Sequence, residues 1–151
     1  MKEQEVSTKS AEETMKLAES IAAKFKGGEV LELASDLGGG KTTFVRGLAK
    51  GLGSQDQVRS PSFTLGNEYH SKRLTLHHFD FYRLEDPGIM RDELAEAITD
   101  PKSVVAVEWS GVVNDVLPAT RLKVKIRATG PDRREIIFSC PESLEYLLEK
   151  T

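Results

Sequence analysis

The chain has 151 residues, 38% hydrophobic and 30% charged, with a net charge of −3; that length supports one domain, spanning 1–151, with a substantial core, and the composition excludes a disordered or collagen-like protein. Nothing approaches the ~18 uninterrupted apolar residues of a membrane helix, and the polar start Met1-Lys2-Glu3-Gln4-Glu5 leads into no signal-peptide core. An acidic balance argues against binding DNA or RNA without help, so the expectation is a cytoplasmic protein that meets neither DNA nor a membrane.

Ser10 to Phe25 reads as a helix: Ser10 with Glu13 forms a capping-box pattern, and Met15, Leu17, Ala18, Ile21, Ala22 and Phe25 make an apolar stripe. Gly27-Gly28 stops it. Val30-Leu31-Glu32-Leu33-Ala34 reads as a strand, and Phe44 to Ala49 as the first turns of a helix that Gly51-Leu52-Gly53 closes. Residues 54–62 read as a loop. Thr64 to Tyr69 and Arg73 to Tyr82 read as strands with a hairpin turn at Ser71-Lys72, and Asp86-Pro87-Gly88 is a break. Residues 89–98 predict a short helix with Ile89, Leu94 and Ile98 inward. Val104-Val105-Ala106-Val107 is a continuous apolar run, which predicts a strand buried on both faces. Arg121 to Ala128 and Glu135 to Ser139 alternate around Gly130-Pro131-Asp132, predicting an antiparallel pair, and Ser143 to Glu149 predicts a short helix. Strands alternating with helices around a buried strand imply an α/β sandwich with a central sheet, in which ligands bind at the carboxyl ends of the strands.

Between the first strand and its helix lies Gly38-Gly39-Gly40-Lys41-Thr42-Thr43. A glycine-rich turn from strand into helix aims backbone N–H groups at one point, and the helix N-terminus adds partial positive charge there. Such a turn cradles phosphate. Lys41 is placed to reach the outer phosphates and the Thr42 hydroxyl to ligate magnesium. The full pattern for this loop has a leading glycine where the chain has Ser35. A serine there is expected to cost backbone strain if the position needs positive φ.

Two acids mark strand ends. Glu108 directly follows the buried run 104–107, where nucleotide hydrolases place a carboxylate that holds magnesium through water or orients the attacking water. In His77-His78-Phe79-Asp80-Phe81-Tyr82-Arg83 the period of two puts His78, Asp80 and Tyr82 on one face. A row of His, Asp and Tyr can share protons and hold a cation or water, which makes Asp80 a candidate general base or a partner of magnesium-bound water. Trp109 reads equally as a base-stacking ring or a half-buried core aromatic. Ser60-Pro61-Ser62-Phe63-Thr64 is an ordinary turn or a segment that orders around a terminal phosphate. Arg46 reads as a surface or partner-facing residue, and Arg133-Arg134 as surface. The single cysteine, Cys140, permits no intrachain disulfide, and with three histidines it gives no basis for a structural zinc site.

Four strings, in this order and spacing, resemble the TsaE (YjeE) family of small ATPases that serve bacterial tRNA threonylcarbamoyladenosine (t6A) synthesis. They are Asp36-Leu37-Gly38-Gly39-Gly40-Lys41-Thr42-Thr43-Phe44, Ser60 to Thr64, His78-Phe79-Asp80-Phe81-Tyr82-Arg83-Leu84 and Val107-Glu108-Trp109. The resemblance runs over roughly residues 10 to 140. It implies a three-layer P-loop NTPase fold with a central, mostly parallel sheet and an antiparallel C-terminal hairpin. It also implies an ATPase, weak alone and stimulated by its partners, that acts with the TsaB–TsaD complex and meets tRNA only indirectly. The cofactors it implies are ATP and Mg2+. On matching positions, it implies that Gly38, Gly39, Gly40, Lys41, Thr42 and Thr43 bind phosphates, that Thr42 and Glu108 hold magnesium, and that Asp80 lies on the γ-phosphate side. Ser60 to Thr64 become the switch segment. Ser10 to Thr14, Trp109 and Arg133 lie near the nucleotide. The chain departs from the family pattern at Ser35, at Ser62 in place of threonine, and at Gly39 in place of a common alanine.

Two other classes fit the phosphate loop. A small-molecule kinase needs an arginine-bearing lid, and the chain has no insertion long enough for one. A guanine-nucleotide switch needs an N-K-x-D base reader, and the chain has none, although Glu108-Trp109-Ser110-Gly111 echoes the D-x-x-G string.

Overall fold

The computed structural model describes residues 1–35, 40–56, 66–81, 88–108 and 110–149. Seven strands among them form one sheet: β1 (Lys2–Thr8), β2 (Val30–Ser35), β3 (Gly66–His70), β4 (Thr75–Asp80), β5 (Ser103–Glu108), β6 (Leu122–Ala128) and β7 (Arg134–Cys140). Their order is β1-β7-β6-β2-β5-β4-β3. The central four, β6, β2, β5 and β4, run parallel, while β1–β7, β7–β6 and β3–β4 pair antiparallel. The mostly parallel centre is as the family resemblance implies, and the antiparallel β6–β7 hairpin is as the alternation of apolar residues predicts.

Helices cover both faces. On one, α1 (Ala11–Ala22) and α2 (Lys41–Gly51) pack on Leu31, Leu33, Leu76, Val104, Ala106, Leu122 and Val124. On the other, α3 (Ile89–Thr99) contributes Leu94 and Ala97 to a second core with Val30, Phe79, Phe81, Val105 and Val107. All six residues of β5 are buried, which is why its sequence is a continuous apolar run rather than an alternating one. The helices α1 and α2 meet at glycine: a Cβ built on Gly47 would lie 2.4 Å from the Met15 carbonyl oxygen, and one on Gly51 would lie 2.5 Å from that of Glu19. These two glycines, one helical turn apart, let the backbones approach closer than any side chain permits.

Four features differ from expectation. The polar N-terminus is a strand, β1, paired along its length with β7; its charged outward residues suit the edge of a sheet and hide it from a hydrophobicity reading. Helix α1 ends at Ala22, three residues before Phe25, and Arg73 donates to the carbonyls of Ala22 and Phe25. The C-terminal helix is a 3-10 helix, Glu142–Leu148. Finally, Ser35 is the last residue of β2, paired with Ile126 of β6. Extended backbone admits any residue, so the expected strain at Ser35 does not arise.

Candidate nucleotide site at the carboxyl ends of the parallel strands

Ser10 caps α1 as its pattern predicts, its hydroxyl oxygen accepting the Glu13 N–H at 3.1 Å. Because β1 runs antiparallel to β7, the β1–α1 turn lies at the same end of the sheet as the β6–β7 turn: Thr8 pairs with Arg134. The carboxyl ends of β2, β4 and β5 are at that end too, since β6 runs parallel to them. The chain therefore gathers its predicted residues from five segments at one edge.

Gly40 opens α2 with φ of 107°, a left-handed conformation that a side chain resists, and its carbonyl accepts the Phe44 N–H. Lys41, Thr42 and Thr43 form the first turn. Lys41 is 8% exposed; its ammonium lies 3.2 Å from Glu108 Oε1. Glu108, the last residue of β5, is 4% exposed, and its other oxygen accepts from His78 Nε2. His78 on β4 is fully buried. Parity explains the meeting: His78, Asp80 and Glu108 all face the α1–α2 side of the sheet, with Asp80 the direct register partner of Glu108. Adjacent strands lie about 4.8 Å apart, so the two acids stand side by side with Lys41 close to one of them. Asp80 is half-buried.

Burial alone would push the Glu108 carboxyl up; the hydrogen bond that His78 donates and the Lys41 ammonium reverse that and hold it below the usual carboxylate range. The carboxylate is thus kept ionised in a nearly dry site.

A second group of predicted residues surrounds the turn. Ala11, Thr14, Gly40, Thr43, Asp132 and Arg134 line a small cleft of about 30 Å³ between α1, α2 and the β6–β7 turn. The arginine beside the glycine turn is Arg134: its Nε would sit 3.2 Å from a Cβ on Gly40, and its Nη1 donates to the carbonyls of Gly130 and Arg133. Arg133, the residue chosen from the sequence, is exposed in the turn itself. Two features escaped the sequence reading, the His78–Glu108 bond and Arg134. The His-x-Asp spacing put His78 on the right face, but only the parallel register of β4 against β5 brings it to Glu108. Gly38, Gly39, Trp109 and the segment 60–64 lie outside the described residues.

The donors that Thr42 and Glu108 offer are hard oxygens, a hydroxyl and a carboxylate, which is the chemistry magnesium prefers. Among the described residues no cluster of three or more His, Cys, Asp and Glu side chains could hold a metal by itself, so an ion here would need ligands from elsewhere, such as phosphate and water. A larger cleft, about 650 Å³, opens on the α3 side between Asn67, His77, Phe79, Met90 and Glu93; none of the predicted site residues lines it.

The family model for "Threonylcarbamoyl adenosine biosynthesis protein TsaE" matches residues 8–136. The chain is 42% identical over 139 residues to the tRNA threonylcarbamoyladenosine biosynthesis protein TsaE of Bacillus subtilis, covering 92% of this chain and 87% of that protein. It is 47% identical over 107 residues to the protein of the same name from Aquifex aeolicus, covering 70% and 75%. The crystal structure of Bacillus subtilis YdiB superposes with a TM-score of 0.79 at 37% identity, covering 97% of this chain and 92% of that one.

Proposed function

The chain belongs to the TsaE family of tRNA threonylcarbamoyladenosine biosynthesis proteins, and from that premise we propose that it is an ATPase that binds and hydrolyses ATP at the β2–α2 turn, on the complex of TsaB and TsaD, and so supports repeated turnover of t6A modification. The observation that carries this reading is the buried Lys41–Glu108 pair at the carboxyl ends of β2 and β5. Burying a lysine with a carboxylate carries a desolvation cost that their attraction offsets only in part, so the pair is not explained by stability, and here the lysine sits at a helix N-terminus behind a glycine with positive φ. That is the arrangement that receives a polyphosphate.

In this reading Gly40 and the first turn of α2 present backbone N–H groups to the phosphates, and the Lys41 ammonium moves from Glu108 to a phosphate oxygen. Thr42 and Glu108 would hold magnesium, which when bound screens the phosphate charge. Asp80, beside Glu108, accepts a hydrogen bond from the attacking water and orients it. Arg134, Thr14 and Thr43 border the nucleotide on the α1 side, with Ser10 fixing the entry of that helix. The net charge of −3 fits a protein that reaches tRNA through partners. No helix among the described residues is long and apolar enough to cross a membrane, and the proposed location is the cytoplasm.

The test is reconstituted t6A formation with TsaB and TsaD, ATP and tRNA, following product and ADP together. Parent protein gives slow ADP release alone and faster release in the complex, with many rounds of modification; Lys41→Ala removes both gains. Unchanged hydrolysis by Lys41→Ala in the assembled complex refutes the site.

A further inference from the structure

Both oxygens of Glu108 are taken. Oε1 faces Lys41 and Oε2 accepts from His78. The two partners differ in kind. Lys41 carries its charge on a flexible four-carbon stem at the start of a helix. His78 is a ring with 0% exposure on β4, held between β3 and β5, and its backbone pairs with Ala106 of β5. Its second nitrogen, Nδ1, is buried and has no hydrogen-bond partner among the described residues. A carboxylate oxygen can only accept, so the nitrogen that meets it, Nε2, carries the ring proton and donates it to Glu108.

We propose that His78 is the positioning residue for Glu108: it anchors Oε2, fixes the plane of the carboxylate, and leaves Oε1 as the single oxygen that turns toward the phosphate turn once Lys41 has left it. The inference rests on the reading of the β2–α2 turn as a nucleotide site. It assigns His78 no contact with nucleotide. Without the anchor the carboxylate is free to rotate about its last two torsions, and both its aim and its alternation between lysine and metal are lost. Outer hydrogen bonds of this kind are worth roughly 10–100-fold in metal affinity.

The variants are His78→Leu, which removes the donor, and His78→Gln, whose amide nitrogen reaches about as far as Nε2. Binding of a fluorescent ATP analogue is measured in EDTA and across a magnesium titration, and ATP hydrolysis is measured in the assembled TsaB–TsaD complex. His78→Leu is expected to bind in EDTA within about threefold of parent, to need about tenfold or more magnesium for the same tightening, and to lose about tenfold in kcat with KM within threefold. His78→Gln is expected to recover most of both losses. The proposal is overturned if His78→Leu matches parent in the magnesium titration, if Leu and Gln are equally impaired, or if binding in EDTA falls as much as binding with magnesium. Should His78→Leu fail to fold, His78→Asn takes its place, since its shorter amide cannot reach Glu108; parent-like magnesium dependence in that variant overturns the proposal. Lys41→Ala in the same titration separates the two readings: if it binds the analogue as parent does, the nucleotide site itself is wrong, whatever His78 does.

Discussion

Replacing Gly47 by alanine sets two effects of opposite sign against each other. Gly47 lies inside α2, where alanine is the better helix former by about 1 kcal/mol. Against that, the new Cβ would sit 2.4 Å from the Met15 carbonyl oxygen and 2.6 Å from the Ala18 Cβ of α1. Ordinary contact begins near 3.4 Å, so α1 has to retreat by about 1 Å, and the atom in the way is backbone, which cannot turn aside. The retreat opens the seam lined by Ala18, Ile21, Phe44 and Leu48, each no more than 2% exposed. Overpacking a dense core costs typically 1–3 kcal/mol, so net of the propensity gain of about 1 kcal/mol the loss is about 0–2 kcal/mol. At roughly 2–4 °C per kcal/mol for a chain of this size, the thermal midpoint falls by up to about 8 °C. Calorimetry and urea unfolding followed by circular dichroism measure it, with exposed Arg46→Ala on the same helix as the control, expected within about 0.5 kcal/mol of parent. Because α2 carries Lys41, nucleotide affinity falls with stability. A Gly47→Ala protein more stable than parent by about 1 kcal/mol would refute the close-approach argument, since propensity alone would then have decided.

Ser35→Gly is expected to leave nucleotide affinity within about twofold while lowering stability by roughly 0.5–1 kcal/mol, because glycine in a strand gains nothing and loses entropy; a large fall in affinity would show that Ser35 shapes the turn. Tyr146→Phe removes the hydroxyl that donates to Glu29 at 2.5 Å, leaving that 4%-exposed carboxylate with the N–H groups of Lys26 and Gly27. The expected cost is about 1–2 kcal/mol by urea unfolding, with no change in ATP hydrolysis, since Glu29 precedes β2 at the opposite end of the sheet from the turn. The Glu108 carboxyl titrates below its ordinary value in the folded state. Its contribution to stability is therefore full above the unfolded value, about 4.3, and is lost as pH falls through the lower folded value. Glu108→Gln should flatten the decline of stability as pH falls below the unfolded value, about 4.3; an unchanged slope would mean that the carboxyl is not held by its neighbours.

The parts of this molecule legible in its sequence are those set by local chemistry. The Ser10 cap, the apolar stripe of α1, the buried run of β5 and the glycine turn before Lys41 each carry their cause within a few residues. What was not legible depends on partners far along the chain. Nothing in Lys2 to Thr8 announces a strand, because an edge strand is decided by the neighbour it finds, here β7. The strain expected at Ser35 vanished because β6 extends the ladder to that residue. That Arg134 rather than Arg133 lies beside Gly40 follows from which way a single residue points at the start of β7. The contact of His78 with Glu108 needed the parallel register of two strands that are 30 residues apart.

The pairing of the first strand with the last has a consequence for synthesis. β1 delivers Ser10 and the start of α1 to the glycine turn, yet the strand it lies against, β7, comes after every other strand of the sheet. While the ribosome still holds the C-terminal hairpin in its tunnel, β1 has no edge to join and the α1 wall of the site has no fixed place. The start of α2 thus waits for residues 134–140 before the α1 wall beside it has a fixed place, and the proposed nucleotide site is complete only once β7 has joined the sheet.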